Sequence, residues 1–157
     1  MGQAIGRIEI LPDPLALAHH VAKWMTQAAL AAEGSFRVSL SGGSTPKTLY
    51  GLLASDEFRD RTLVQHRLSR QQRGGMTIGT EADRRVAAVS HGRPEVRITM
   101  TYPAIESSRR VAFLVAGEEK AAVFSTIRAG NSQVPAARVQ PVGELFWFVD
   151  QAAAGEG

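Results

Sequence analysis

The 157-residue chain contains no cysteine. A disulfide framework and thiolate chemistry are therefore excluded, and the absence fits a reducing compartment. No apolar run approaches the ~20 residues that a membrane span needs. The N-terminus lacks the charged start, apolar middle and cleavage site of a signal peptide. The expectation is a cytoplasmic protein with no membrane partner. Charge of either sign is modest: 18 basic against 15 acidic residues give a formal +3. The basic residues form no stripe, so nucleic acid is not an expected partner. Cysteine is missing and the four histidines lack ligand spacing, so no metal site is expected. A nicotinamide fingerprint is also missing, because Gly42-Gly43 has no later glycine and no distant acid in context. No cofactor is expected. The length fits one domain, residues 1–157, able to bury roughly 70% of its unfolded surface.

What is present is organised as strands alternating with helices. Arg7 to Leu11 reads as a short strand. Pro14 opens a helical pattern through Leu17, Val21, Trp24, Met25 and Ala29, with Gly34 placed to end it. The strand Phe36–Leu40 leads through Ser41, Gly42 and Gly43 into a helix, where Ser44 or Thr45 can cap and Pro46 suits the first turn. Val96 to Tyr102 alternates as a strand, and Pro103–Glu106 reads as a helical turn. Val111–Ala116 is continuously apolar, as in a strand buried on both faces, and Glu118–Ala129 reads as a helix. Leu145–Val149 is a last strand with a small polar tail. The pattern predicts an α/β fold, a Rossmann-like three-layer sandwich with a mostly parallel sheet. Residues 64–80 break the pattern. They are basic, Gln-rich and aperiodic, either a solvated loop or a place where structure is missing.

Strand, Gly-Gly turn and helix together aim free backbone N–H groups, backed by the helix dipole, at an anion. The candidates for holding a phosphate are Ser41, Gly42, Gly43, Ser44 and Thr45. Lys120 follows a buried strand by a few residues, where a cation opposes the helix dipole and neutralising a phosphate would account for it. Arg97 can hold a phosphate through two parallel hydrogen bonds, or pair with Glu81 or Glu95. Trp24 and Trp147 read as core or interface aromatics, and Asp56, Glu57 and Asp60 as a solvated helix end.

These motifs are joined by Arg97–Ile105, Phe113–Ala121, Val134–Pro141 and Leu145–Asp150. The ordered set resembles the 6-phosphogluconolactonase family, itself related to the glucosamine-6-phosphate isomerases/deaminases, over about residues 5–63 and 80–151. The resemblance implies a phosphorylated sugar lactone as ligand, hydrolysis of 6-phosphogluconolactone to 6-phosphogluconate, and a place in the oxidative pentose phosphate pathway. It also gives Lys120 and Arg97 phosphate-binding roles.

The middle departs from that family. A Trp-Gly-Asp-Glu-Arg-like motif, an Asn-bearing loop and a Gly-x-x-x-Asp-Gly-His-like loop with the expected general base have no counterpart here. Gly79–Val86 resembles the family sequence just after that last loop. The segment 64–80 therefore stands where the central region belongs, which points to an internal deletion or a shifted reading frame rejoining near Gly79. Lactone hydrolysis needs a base to activate water and donors for the oxyanion. His19 and His20 fall in the first helix, one packed and the other solvated, while His66 lies in the odd segment and His91 in a later loop. None is assigned as base, and the catalytic residues stay unknown. Three readings remain open: an active lactonase, a sugar-phosphate-binding remnant without catalysis, and a truncated chain that folds poorly unless a homodimer covers the gap.

Overall fold

The computed structural model describes residues 5–33, 36–58, 68–70, 86–89 and 97–156. Strand β1 (Arg7–Leu11) leads into helix α1 (Pro14–Leu30). Asp13 starts that helix, its side chain accepting the Ala16 amide at 2.8 Å, and Pro14 occupies the first turn. Such a cap is worth about 1 kcal/mol. The helix ends at Leu30, short of Gly34. Strand β2 (Val38–Leu40) and helix α2 (Ser44–Leu53) follow. Next come β3 (Leu68–Arg70), β4 (Val86–Val89), β5 (Arg97–Met100) and α3 (Tyr102–Glu106). Strand β6 (Arg110–Val115) runs through a 3-10 turn, Glu118–Lys120, into α4 (Ala121–Arg128). A second 3-10 turn, Pro135–Arg138, precedes β7 (Glu144–Asp150) and the short α5 (Gln151–Ala154).

Among the described residues β1, β7 and β6 form a parallel sheet with β7 at its centre. Along β7, Phe146 and Phe148 face one side while Trp147 and Val149 face the other, the two-residue period of a strand. On the first side α1 and α2 supply Leu17, Val21, Met25 and Leu49. On the second, α4 and α5 supply Phe124, Ile127 and Ala153. A strand covered on both faces reads as an unbroken apolar run, which explains Leu-Phe-Trp-Phe-Val. Phe113 stacks on Trp147 at 4.4 Å between ring centroids, and Trp24 meets Phe146 and Phe148 edge-on.

Several boundaries differ from expectation. Tyr102 opens α3 instead of closing a strand, because Pro103 suits a helix's first turn. The polar tail is helical, capped by Asp150. Of β6, Phe113 alone is buried, since β6 lies at the edge of the described three-stranded sheet. Two further two-stranded sheets are described, β2-β3 parallel and β4-β5 antiparallel, so the described strands are mostly parallel, as expected. Of the segment 64–80, only 68–70 are among the described residues.

Candidate functional site

The loop after β2 is built by glycine. Gly43 has φ +134°, a conformation that side-chain-bearing residues rarely adopt, and it takes the N-cap position of α2. This corrects the expected cap: no side chain caps α2, and Ser44 is already its first residue. A serine cap needs an extended backbone with negative φ, which Gly43 does not provide. The Tyr50 hydroxyl reaches back from α2 to donate to the Ser41 carbonyl, tying the loop to its own helix. Among the described residues no hydrogen bond occupies the amides of residues 42–45. Ser41, Gly43 and Ser44 are exposed, and Gly42 and Thr45 half-buried. A ten-residue helix with unoccupied amides and no acidic side chain in its first turn is suited to a phosphate.

A second loop leaves β6. Gly117, with φ +96°, begins it. Its amide donates to both carboxylate oxygens of Asp150, at 3.0 and 3.2 Å. Asp150 is 1% exposed, and its Oδ1 also accepts the Ala153 amide at 2.8 Å. The Gly117 carbonyl accepts the Lys120 amide at 3.0 Å, closing the 3-10 turn. Lys120 therefore belongs to that turn, at the N-cap of α4, with its ammonium half-exposed and 4.0 Å from Glu119 Oε1. The Glu119 carboxylate folds back over Gly117, where a Cβ would collide with it.

The Gly42–Gly43 loop follows the carboxyl end of β2, which pairs in parallel with β3, and the Gly117 loop follows the carboxyl end of β6 in the β1-β7-β6 sheet. Each loop thus leaves the carboxyl end of its own strand, the end at which open α/β sheets bind ligands. Among the described residues no hydrogen bond or ion pair joins residues 41–45 to residues 117–120. Arg97 opens β5 opposite Val89 of the antiparallel β4, so the parallel setting expected for its strand does not hold. At the other end of β5 the Ser39 hydroxyl donates to Met100 Sδ at 3.1 Å, bringing β5 beside β2.

The histidines of α1 are engaged elsewhere. His20 Nε2 lies 2.8 Å from Glu9 Oε2, and its ring is 5.2 Å from that of Phe148. His19 Nδ1 lies 3.9 Å from Glu57 Oε2, beside Phe58. The two are equally half-exposed, not one packed and one solvated. His66, His91, Glu81 and Glu95 lie outside the described residues. A cavity of about 30 Å³ between Ile5, Ile127 and Trp147 sits at the opposite, amino end of the sheet, with room for little beyond water. Among the described residues no three His, Asp or Glu side chains gather as a metal site.

Asp150 is not among the residues that the sequence puts forward for the site. Its signal was an acid ending a buried strand just before Gln-Ala-Ala-Ala-Gly, a helix-cap pattern. The bond to Gly117 crosses 33 residues and has no local signature.

The family model for glucosamine-6-phosphate isomerases/6-phosphogluconolactonase matches residues 12–69 and 73–147. The human 6-phosphogluconolactonase is 42% identical over 79 residues, 47% of this chain and 31% of that protein. The 6-phosphogluconolactonase of Streptomyces coelicolor is 40% identical over 81 residues, 48% of this chain and 31% of that protein. The chain thus matches under a third of the length of these curated relatives. The 6-phosphogluconolactonase from Trypanosoma cruzi superposes with a TM-score of 0.74 at 18% identity, covering 96% of each chain. At that identity the likeness concerns the fold.

Proposed function

Because the chain belongs to the glucosamine-6-phosphate isomerase/6-phosphogluconolactonase family, we propose that it binds a phosphorylated sugar lactone and hydrolyses 6-phosphogluconolactone to 6-phosphogluconate. The observation that carries this reading is the glycine-built N-terminus of α2, whose amides at residues 42–45 have no hydrogen-bond partner among the described residues. In this reading those amides and the Ser44 and Thr45 hydroxyls hold the phosphate, and the Lys120 ammonium and Arg97 guanidinium neutralise it. Anchoring the phosphate fixes the distant lactone carbonyl, so that attack by water becomes effectively intramolecular. Water adds to the carbonyl carbon, the ring C–O bond breaks, and the released oxygen takes up a proton. The reaction belongs in the cytoplasm. Among the described residues no helix is long and apolar enough to cross a membrane.

A second reading keeps the binding and drops the hydrolysis. It is favoured by the two described histidines, His19 and His20, which lie against Glu57 and Glu9. Two measurements separate the readings: lactone hydrolysis above the spontaneous background, and the shift in melting temperature caused by 6-phosphogluconate. A ligand at 100 times its dissociation constant stabilises by about 2.7 kcal/mol. Hydrolysis with a shift supports the lactonase, and a shift alone supports the binding protein. No shift, or a shift unchanged when Ser44 and Lys120 are both replaced by alanine, overturns the phosphate assignment.

A further inference from the structure

We infer that Asp150 is a positioning residue that sets the Gly117–Lys120 turn from beneath, and with it the place from which the Lys120 ammonium reaches a ligand; the inference rests on Lys120 being a phosphate ligand. A carboxylate that is 1% exposed needs compensation. Among the described residues no cation pairs with Asp150, and its partners are the backbone amides of Gly117 and Ala153. Capping α5 does not demand a charge, because asparagine or serine caps a helix equally well. The feature a neutral cap would not supply is the two-oxygen grip on the Gly117 amide. That grip acts at a glycine with φ +96°, where the backbone alone has little preference. From Gly117 the constraint passes one step outward, through the Gly117 carbonyl to the Lys120 amide. The buried carboxylate is thus two hydrogen bonds from the backbone of the candidate ligand residue.

The test uses the full chain with Asp150→Asn, Lys120→Ala and the double variant. Asparagine preserves the cap of α5 but turns one acceptor into a donor facing the Gly117 amide. Titration calorimetry with 6-phosphogluconate should show Asp150→Asn weakening binding about tenfold. In the Lys120→Ala background the same change should have no further effect, since neighbours acting through one group are not additive. Additive losses would overturn the inference. A second measurement needs no ligand. Backbone 15N relaxation should show residues 117–120 losing order in Asp150→Asn while α4 keeps its own, and unchanged order at 117–120 would also overturn it. If the unmodified chain fails to bind 6-phosphogluconate, the functional reading falls, yet the relaxation result still decides what Asp150 does. If Asp150→Asn melts without cooperativity, Asp150→Ser, which caps α5 but is too short for a two-oxygen grip, takes its place in both measurements.

Discussion

The two loops that follow β2 and β6 reach their shapes by opposite means. The Gly117 loop is held from inside, by a buried carboxylate that grips its first amide. The Gly42–Gly43 loop is held from outside, by the Tyr50 hydroxyl on the Ser41 carbonyl, and its own amides point at nothing described. One loop has its first amide and first carbonyl bonded within the protein. The other leaves the amides of residues 42–45 without a partner among the described residues. In the proposed reading the first loop supplies the Lys120 cation and the second an open cradle of backbone dipoles.

The sharpest way to break the contrast is Asp150→Ala. It strands the Gly117 and Ala153 amides, each costing about 1–3 kcal/mol when buried without a partner. Urea unfolding should register a loss of about 3 kcal/mol at an unchanged slope. Gly43→Ala comes next. A Cβ there meets Pro46 only at ordinary contact distance, so the penalty is torsional, about 2 kcal/mol. Thermal melts should show that loss, and 6-phosphogluconate should no longer raise the melting temperature. Lys120→Ala is smaller still. Its side chain is half-exposed, so stability should stay within about 0.5 kcal/mol, while affinity for 6-phosphogluconate should fall about tenfold by calorimetry. The least effect is expected from Glu119→Gln, which frees Lys120 from a weak, exposed carboxylate contact. Inorganic phosphate should then bind about two- to threefold more tightly, and weaker binding would place Glu119 among the groups that help the ligand.

The elements that the sequence announces are those whose causes are local. The Pro14 start of α1, the strand–Gly-Gly–helix unit and the apolar Leu145–Val149 run all follow from neighbours in sequence. Misreadings arise where a local signal is ambiguous or a distant partner decides. Tyr102 continues an alternating β-rich pattern, and only Pro103 marks the change to helix. Ser44 and Thr45 are good caps, yet a glycine with positive φ takes that position, and the reason is the turn itself. The expected one-packed, one-solvated pair on α1 gives way to two half-exposed histidines, each beside a glutamate from another element. The grip of Asp150 on Gly117 needs β6 and β7 to be paired before the two can meet. Half of the candidate site was legible as backbone chemistry, and the half that depends on tertiary contact was not.

The central place of β7 also bears on how the chain comes to its shape. Arg7 lies beside Phe146, so the first strand described finds its sheet partner only in the last. Among the described residues β1 and β6 both pair with β7, which is synthesised after them. A layer closed by such distant pairing assembles late and slowly, and a chaperone that shields early strands should matter more to its yield than to its final stability.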